Sequence, residues 1–350
     1  MKPEWKTFLV DNGAEFDEDG LTVRHFGNPE RERRILLTGE VFSDLSSHGL
    51  ISAYGEDAET FLQNMLSNDI LAVNEGHTQL SSLCNNKGRA IAVFRIFRRG
   101  ETFYLRLPRS LLETALKRLQ MFVLMSKVTL EDASDALVRL GYSGPEAERE
   151  LAERLGGVPA EPDQAGEWQG ITVLRIAGPV PRFELYGELE AMQKLWTHLN
   201  VRGAPVGVDH WPLLDILAGL PNVYPQTSEA FVPQMLNLHA VNGISFKKGC
   251  YPGQEVVARM QYLGKLKRRM YRVDLDAAEP PEPGTELFAE GGSEAAGQIV
   301  DARLDPDGRS VGLAVLKIAE TDKPLHLAAV DGPAVTVGDV PYPVPLGKEE

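Results

Sequence analysis

Cysteine is scarce in this sequence: Cys84 and Cys250 are the only two among 350 residues. Two thiols so far apart cannot build a disulfide framework, and a reducing cytosol suits this usage. No Cys-x-x-Cys occurs, and the seven histidines show neither His-x-x-x-His nor Cys-x-x-His spacing, so no permanent metal site is expected. Long apolar runs are also missing, which excludes a membrane-spanning helix. Met1-Lys2-Pro3-Glu4-Trp5 has no apolar signal core, and residues 11–19 are acid-rich, unlike a transit peptide. A cytoplasmic protein is therefore expected. Positive charge is in deficit, with 36 Lys and Arg against 50 Asp and Glu, a formal net charge of −14. Such a surface repels phosphate backbones at long range, so direct nucleic-acid binding is not expected. The basic run Lys265, Lys267, Arg268 and Arg269 fits a strand edge guarded against pairing. What remains is ordinary globular sequence, 43% hydrophobic and 25% charged, long enough for two or three domains.

Periodicity sketches an α+β chain. Arg31-Glu32-Arg33-Arg34 before Ile35-Leu36-Leu37 reads as a short strand with charged flanks. Ala58, Phe61, Leu62, Met65 and Leu66 share one helical face. Two strands follow across the Arg99-Gly100-Glu101 turn, one carrying Ile91, Val93, Ile96 and Phe97, the next Phe103, Leu105 and Leu107. Ser110 to Glu113 and Ser143 to Glu146 read as capping boxes that open helices, the second ended by Gly156-Gly157. Strands near Ile171–Ile176 and Arg182–Tyr186 precede a helix through Met192, Leu195, Trp196 and Leu199. His210-Trp211-Pro212 opens a short helix closed by Gly219, and the spacing of Trp196 and Trp211 places both in the core. Beyond Leu266 the texture changes to short strands between Gly and Pro turns, as in a small barrel or sandwich.

One stretch carries chemistry. Lys247-Lys248-Gly249-Cys250-Tyr251-Pro252-Gly253-Gln254-Glu255 follows a strand-like Gly243–Phe246 and runs into a helical pattern from Gln254 to Tyr262. Tyr251 to Gln254 suits a type II turn, because proline presets φ and glycine accepts φ > 0. A thiol just before a helix start, with Lys247 and Lys248 beside it, is expected to lose its proton more easily. Three readings stay open: a reactive or metal-capturing thiolate, a buried inert cysteine, and an anion-binding turn in which sulfur is a bystander. Cys84, near Lys87, reads as a buried residue.

This nine-residue run resembles the fingerprint of YgfZ-type folate-binding proteins, relatives of the glycine-cleavage T-protein. Supporting segments are Ala218-Gly219-Leu220-Pro221, Phe231-Val232-Pro233-Gln234, Val257-Ala258-Arg259, Lys267-Arg268-Arg269 and Phe61 to Ile70, spanning roughly residues 40–320. The resemblance implies a folate-binding body over residues 1–264, made of two intertwined α+β subdomains (45–135, and 1–44 with 136–264). A C-terminal antiparallel β-barrel would occupy 265–350. It implies tetrahydrofolate as ligand and a role in iron–sulfur cluster assembly or repair, with tRNA modification as an indirect outcome. Partners would be folate and iron–sulfur assembly or client proteins, with Cys250 a transient cluster ligand.

Within that resemblance Cys250 is the nucleophile and Lys248 its activating partner. Glu184, Tyr251 and Gln254 contact folate, and Lys247, Gly249, Pro252, Gly253, Glu255 and Arg259 support the motif. Asn85-Asn86-Lys87-Gly88-Arg89 resembles a turn of the same branch. Two departures matter. Ala92 falls where T-proteins carry a catalytic-site aspartate, so conventional aminomethyl transfer is not expected, and a one-carbon transferase or demethylase is the alternative reading. Asp215 stands in Leu214-Asp215-Ile216, where relatives often carry arginine, which puts a contact to the folate glutamate in question. A thiol redox role is disfavoured, because no resolving cysteine lies nearby.

Overall fold

The computed structural model describes residues 1–262 and 264–345. A five-stranded sheet has the order Gln79–Cys84, Ala90–Arg99, Thr102–Pro108, His48–Tyr54, Thr129–Asp132. Helices Ala58–Met65 and Arg109–Gln120 pack on it, burying Phe61, Leu62 and Met65 from the first and Leu111, Ala115 and Leu119 from the second. Each of the Leu, Phe and Met side chains is worth about 1.5–3 kcal/mol on burial. A six-stranded sheet borrows Val41–Asp44 from before this unit and takes Val138–Ser143, Ala165–Trp168, Ile171–Ile176, Arg182–Gly187 and Ala204–Val206 from after it. Helices Pro3–Asp11, Ala147–Leu155 and Leu189–Leu199 cover it around Trp196, which meets Phe42 edge-on at 4.6 Å. The last six strands close an antiparallel barrel: Arg268–Leu275, Ser310–Lys317, Ala295–Leu304, Glu286–Ala289, Leu325–Leu327, Ala334–Gly338. The α+β architecture and barrel match expectation, as do the core positions of Trp196 and Trp211.

Several local expectations fail for clear reasons. Ile35-Leu36-Leu37 forms no strand but turns out of the helix Pro29–Arg34, which takes up the charged flank and is capped by Asn28 accepting the Arg31 amide at 3.0 Å. Both capping boxes are absent. The strand Thr102–Pro108 leads directly into Arg109–Gln120, so Ser110 already lies inside the helix. Ser143 completes its own strand, and the following helix starts at Ala147. Gly243–Phe246 forms no strand, since its backbone bonds go to a loop: the Ser245 amide donates to Ser67 O at 3.0 Å.

From Gly219 to Gly253 the chain has no helix or strand, yet it touches the five-stranded sheet, the helix Gln254–Tyr262 and the barrel. The Ala90 amide donates to Phe231 O at 2.8 Å, and Gln234 Nε2 to Val257 O at 2.6 Å. Asn237 Nδ2 donates to Met270 O at 2.9 Å, and the Tyr224 hydroxyl to Asp301 at 2.6 Å. Side-chain and loop bonds take the place of a ladder, as buried backbone requires.

Candidate functional site

The motif around Cys250 hangs between two anchors. Upstream, Asn68 Nδ2 donates to Asn242 O at 2.6 Å and Ser67 Oγ to Gly243 O at 3.2 Å. The buried Lys248 ammonium donates to the carbonyls of Gln63 and Leu66 at the end of helix Ala58–Met65, and lies 5.0 Å from the Tyr251 ring centroid. A cation at a helix C-terminus satisfies carbonyls that have no helical partner. Burial pushes this ammonium down to about 8, with Asp69 opposing. Lys248 is expected beside the thiol, but its protons are occupied at the helix end, while Lys247 is exposed.

Downstream, the type II turn forms as the sequence implies: the Gln254 amide donates to Tyr251 O at 3.1 Å and Gly253 has φ +79°. Gly253 lies against the Asn85–Arg89 turn. A Cβ there would fall 2.4 Å from Asn85 O and 2.6 Å from Gly88 Cα. Gly88 has the same constraint, since its Cβ would meet Val256 at 2.9 Å. Two glycine turns thus meet backbone to backbone, joining the motifs at 85–89 and 247–255. Asn85 stiffens the first by accepting the Lys87 and Arg89 amides at 2.9 and 3.0 Å, and Arg89 donates to Ala230 O.

Cys250 itself is exposed, and Tyr251 beside it is buried. Gln254 is half-buried, while Glu255 and Arg259 are exposed and lie 3.9 Å apart along the helix. Cys84 is buried, as expected, and burial pushes its thiol up to about 11.

Glu184 lies elsewhere, fully enclosed on the strand Arg182–Gly187. It accepts from Arg106 at 2.8 Å, Trp211 Nε1 at 3.2 Å and the Tyr186 hydroxyl at 2.6 Å. Burial would raise its carboxyl, but the Arg106 guanidinium and the Tyr186 hydroxyl outweigh this and hold it down to about 2. Asp215 belongs to the same interior, accepting from Arg182 at 2.7 Å and Asn222 at 3.1 Å. The aspartate that departs from the family pattern is the counter-ion of a buried arginine two residues from Glu184. His48 sits beside this network, where burial and the Arg106 charge press its pKa down to about 3. Ala92 is fully buried in the strand Ala90–Arg99.

Sequence reasoning missed Arg106, Tyr186 and Trp211 as partners of Glu184. The signal was present in Leu105-Arg106-Leu107, a charge inside an apolar strand pattern. Buried nitrogens without partners persist here, namely Arg106 Nε and Arg182 Nη1, along with His48 Nδ1. Both Glu184 oxygens already accept, so a further donor would have to displace Arg106, Tyr186 or Trp211.

Residues 15–214 match the GCVT N-terminal domain. The tRNA-modifying protein YgfZ of Colwellia psychrerythraea is 32% identical over 302 residues, 85% of this chain and 92% of that protein. The chain belongs to the YgfZ-type family of GCVT-domain proteins. Its counterpart in Yersinia pestis is 35% identical over 243 residues, 69% of this chain and 73% of that protein. The glycine cleavage system aminomethyltransferase T of Bartonella henselae superposes with a TM-score of 0.73 over 96% of both chains, at 18% identity. That likeness extends to the fold. Among the described residues, no helix is long and apolar enough to cross a membrane.

Proposed function

We propose that this chain is a tetrahydrofolate-binding accessory protein that supports iron–sulfur cluster assembly or repair and, through it, tRNA modification. Cys250 is its working thiolate and a transient cluster ligand. The observation that carries this reading is the contrast between the two sulfurs. Cys84 is sealed in a strand, whereas Cys250 stands exposed on a turn fixed at both ends. A thiol that must meet a partner's cluster needs access and a fixed base, and this one has both. Lys248 and Gly253 hold the turn, Lys247 supplies positive charge, and Glu184, Tyr251 and Gln254 are assigned to folate. Aminomethyl transfer fits poorly, because Ala92 offers no carboxylate to orient a reacting nitrogen.

The test has two arms. Tetrahydrofolate is titrated into the purified chain and into Glu184→Gln, followed by tryptophan fluorescence, with weakening of at least about tenfold expected from the loss of a charged acceptor. Cys250→Ala is assayed in cells lacking the protein for restoration of an iron–sulfur-dependent tRNA thiolation, and it should restore none. Absence of folate binding to the native chain, or full restoration by Cys250→Ala, would sink the proposal.

A further inference from the structure

Most of the exposed cations around Cys250 are used neither to fix its turn nor in the Glu184 network. Lys247 stands in the motif itself. Phe246 beside it meets Tyr262 with ring centroids 6.2 Å apart, which brings Lys247 to the end of the helix Gln254–Tyr262. Arg259 lies one turn earlier on that helix, on the exposed face that carries Val256 and Tyr262 and turns away from the buried Val257. At the helix start a Cβ on Gly88 would meet Val256 at 2.9 Å and Gly253 O at 3.1 Å, so the exposed Lys87 and Arg89 border the same face. Lys265 and Lys267, both exposed, continue it beyond the helix. Among the described residues, Lys87, Lys247, Lys265 and Lys267 make no ion pair, and Arg259 has only Glu255 at 3.9 Å. In a chain of net charge −14 this face reverses the sign, and the surface outside it is more acidic than that total. The backbone beside Cys250 is open to an approaching body, since a Cβ on Gly249 would meet nothing within 4 Å.

We infer that this basic face is a docking surface for a protein partner whose contact patch is rich in Asp and Glu, with Cys250 inside it. Unpaired exposed cations steer an oppositely charged surface and raise its rate of encounter, most strongly at low salt. Val256 and Tyr262 add apolar area between the charges, 37% and 58% exposed, as interfaces combine apolar centres with a charged rim. The helix has nine residues and is about 14 Å long. An extended phosphate backbone would run off so short a track onto acidic surface, whereas a compact acidic patch touches the cations alone. The inference rests on the reading of Cys250 above and specifies the chemistry of the partner that meets it.

The experiment uses K87E/R259E/K265E, which reverses three charges and leaves residues 247–255 native. Cys250 is treated with dithiobis(nitrobenzoate), a dianion, and with cystamine, a dication, each rate being divided by that of free mercaptoethanol. The native chain should favour the anion by at least about tenfold at low salt, added salt should shrink the preference, and the variant should abolish or reverse it. In cells lacking the protein, the variant should restore iron–sulfur-dependent tRNA thiolation to less than about a tenth of the native level, with an unchanged melting temperature. The charge-conserving K87R/R259K/K265R should restore it fully. No preference for the anion on the native chain, or full restoration by the reversed variant, would overturn the docking face while Cys250→Ala still judges the thiol reading separately. Restoration by Cys250→Ala would remove that reading and this surface with it. Binding of bulk tRNA, or self-association of the native chain, that is lost in K87E/R259E/K265E would assign the face to nucleic acid or to a second copy and overturn the proposal.

Discussion

Removing the Glu184 carboxylate is expected to damage the fold before it says anything about a ligand. The side chain is fully enclosed and answers three donors. Its carboxyl is held down to about 2, from an ordinary 4.5, which corresponds to about 3 kcal/mol of folded-state preference for the ionised form. Glu184→Ala leaves Arg106 charged in the interior, a change that costs about 3–5 kcal/mol, and strands the Tyr186 and Trp211 donors as well. A total near 5 kcal/mol is comparable to the whole stability of many domains. Glu184→Gln keeps an acceptor for Arg106 and Trp211 and should cost about 2 kcal/mol. Pairing Glu184→Leu with Arg106→Met removes both charges and should recover much of the loss. Urea unfolding followed by the fluorescence of the four tryptophans reads all of these variants. The sign with pH follows from the lowered value: the stabilisation is complete above about 4.5 and is lost as pH falls toward 2. An alanine variant within about 1 kcal/mol of the native chain, or a double variant as unstable as the sum of its singles, would refute this account of the network.

Three further outcomes are expected. Gly253→Ala should destabilise the motif by roughly 2–4 kcal/mol, since φ +79° and the 2.4 Å approach to Asn85 O both oppose a side chain, whereas Gly249→Ala, with nothing within 4 Å, should change stability by less than about 0.5 kcal/mol. Hydrogen exchange across residues 247–256 distinguishes the two. Lys248→Met should lose about 1.5–3 kcal/mol and raise exchange in the last turn of helix Ala58–Met65; unchanged protection there would show that the ammonium caps nothing. A thiol reagent near neutral pH should titrate one sulfur per native chain and two after unfolding, because Cys84 is enclosed and pushed up to about 11.

Features set by neighbours in sequence were legible, and those set by distant partners were not. Pro252-Gly253 announced its turn because φ preferences are local, and the barrel strands from Arg268 onward followed from alternation and turn residues. The type of contact made by Lys248 was hidden, because its acceptors lie at Gln63 and Leu66, far upstream. Glu184 read as a strand acid, yet the guanidinium that neutralises it comes from the other sheet. Pattern alone also mistook Ser110 and Ser143 for caps, since a Ser-x-x-Glu spacing does not reveal where the preceding strand stops. The opposite error occurred at Gly243–Phe246, where apolar residues pack against a loop and no strand lies alongside.

The irregular segment from Gly219 to Gly253 has a consequence for how this molecule tolerates change. Its polar groups are spent on strands, a helix and the barrel at the same time, through Tyr224, Ala230, Gln234 and Asn237. A lengthened or nicked strap would loosen several bodies together, so insertions and cleavages should be ruinous along this belt. Coil by secondary structure, it behaves as the keystone of the assembly.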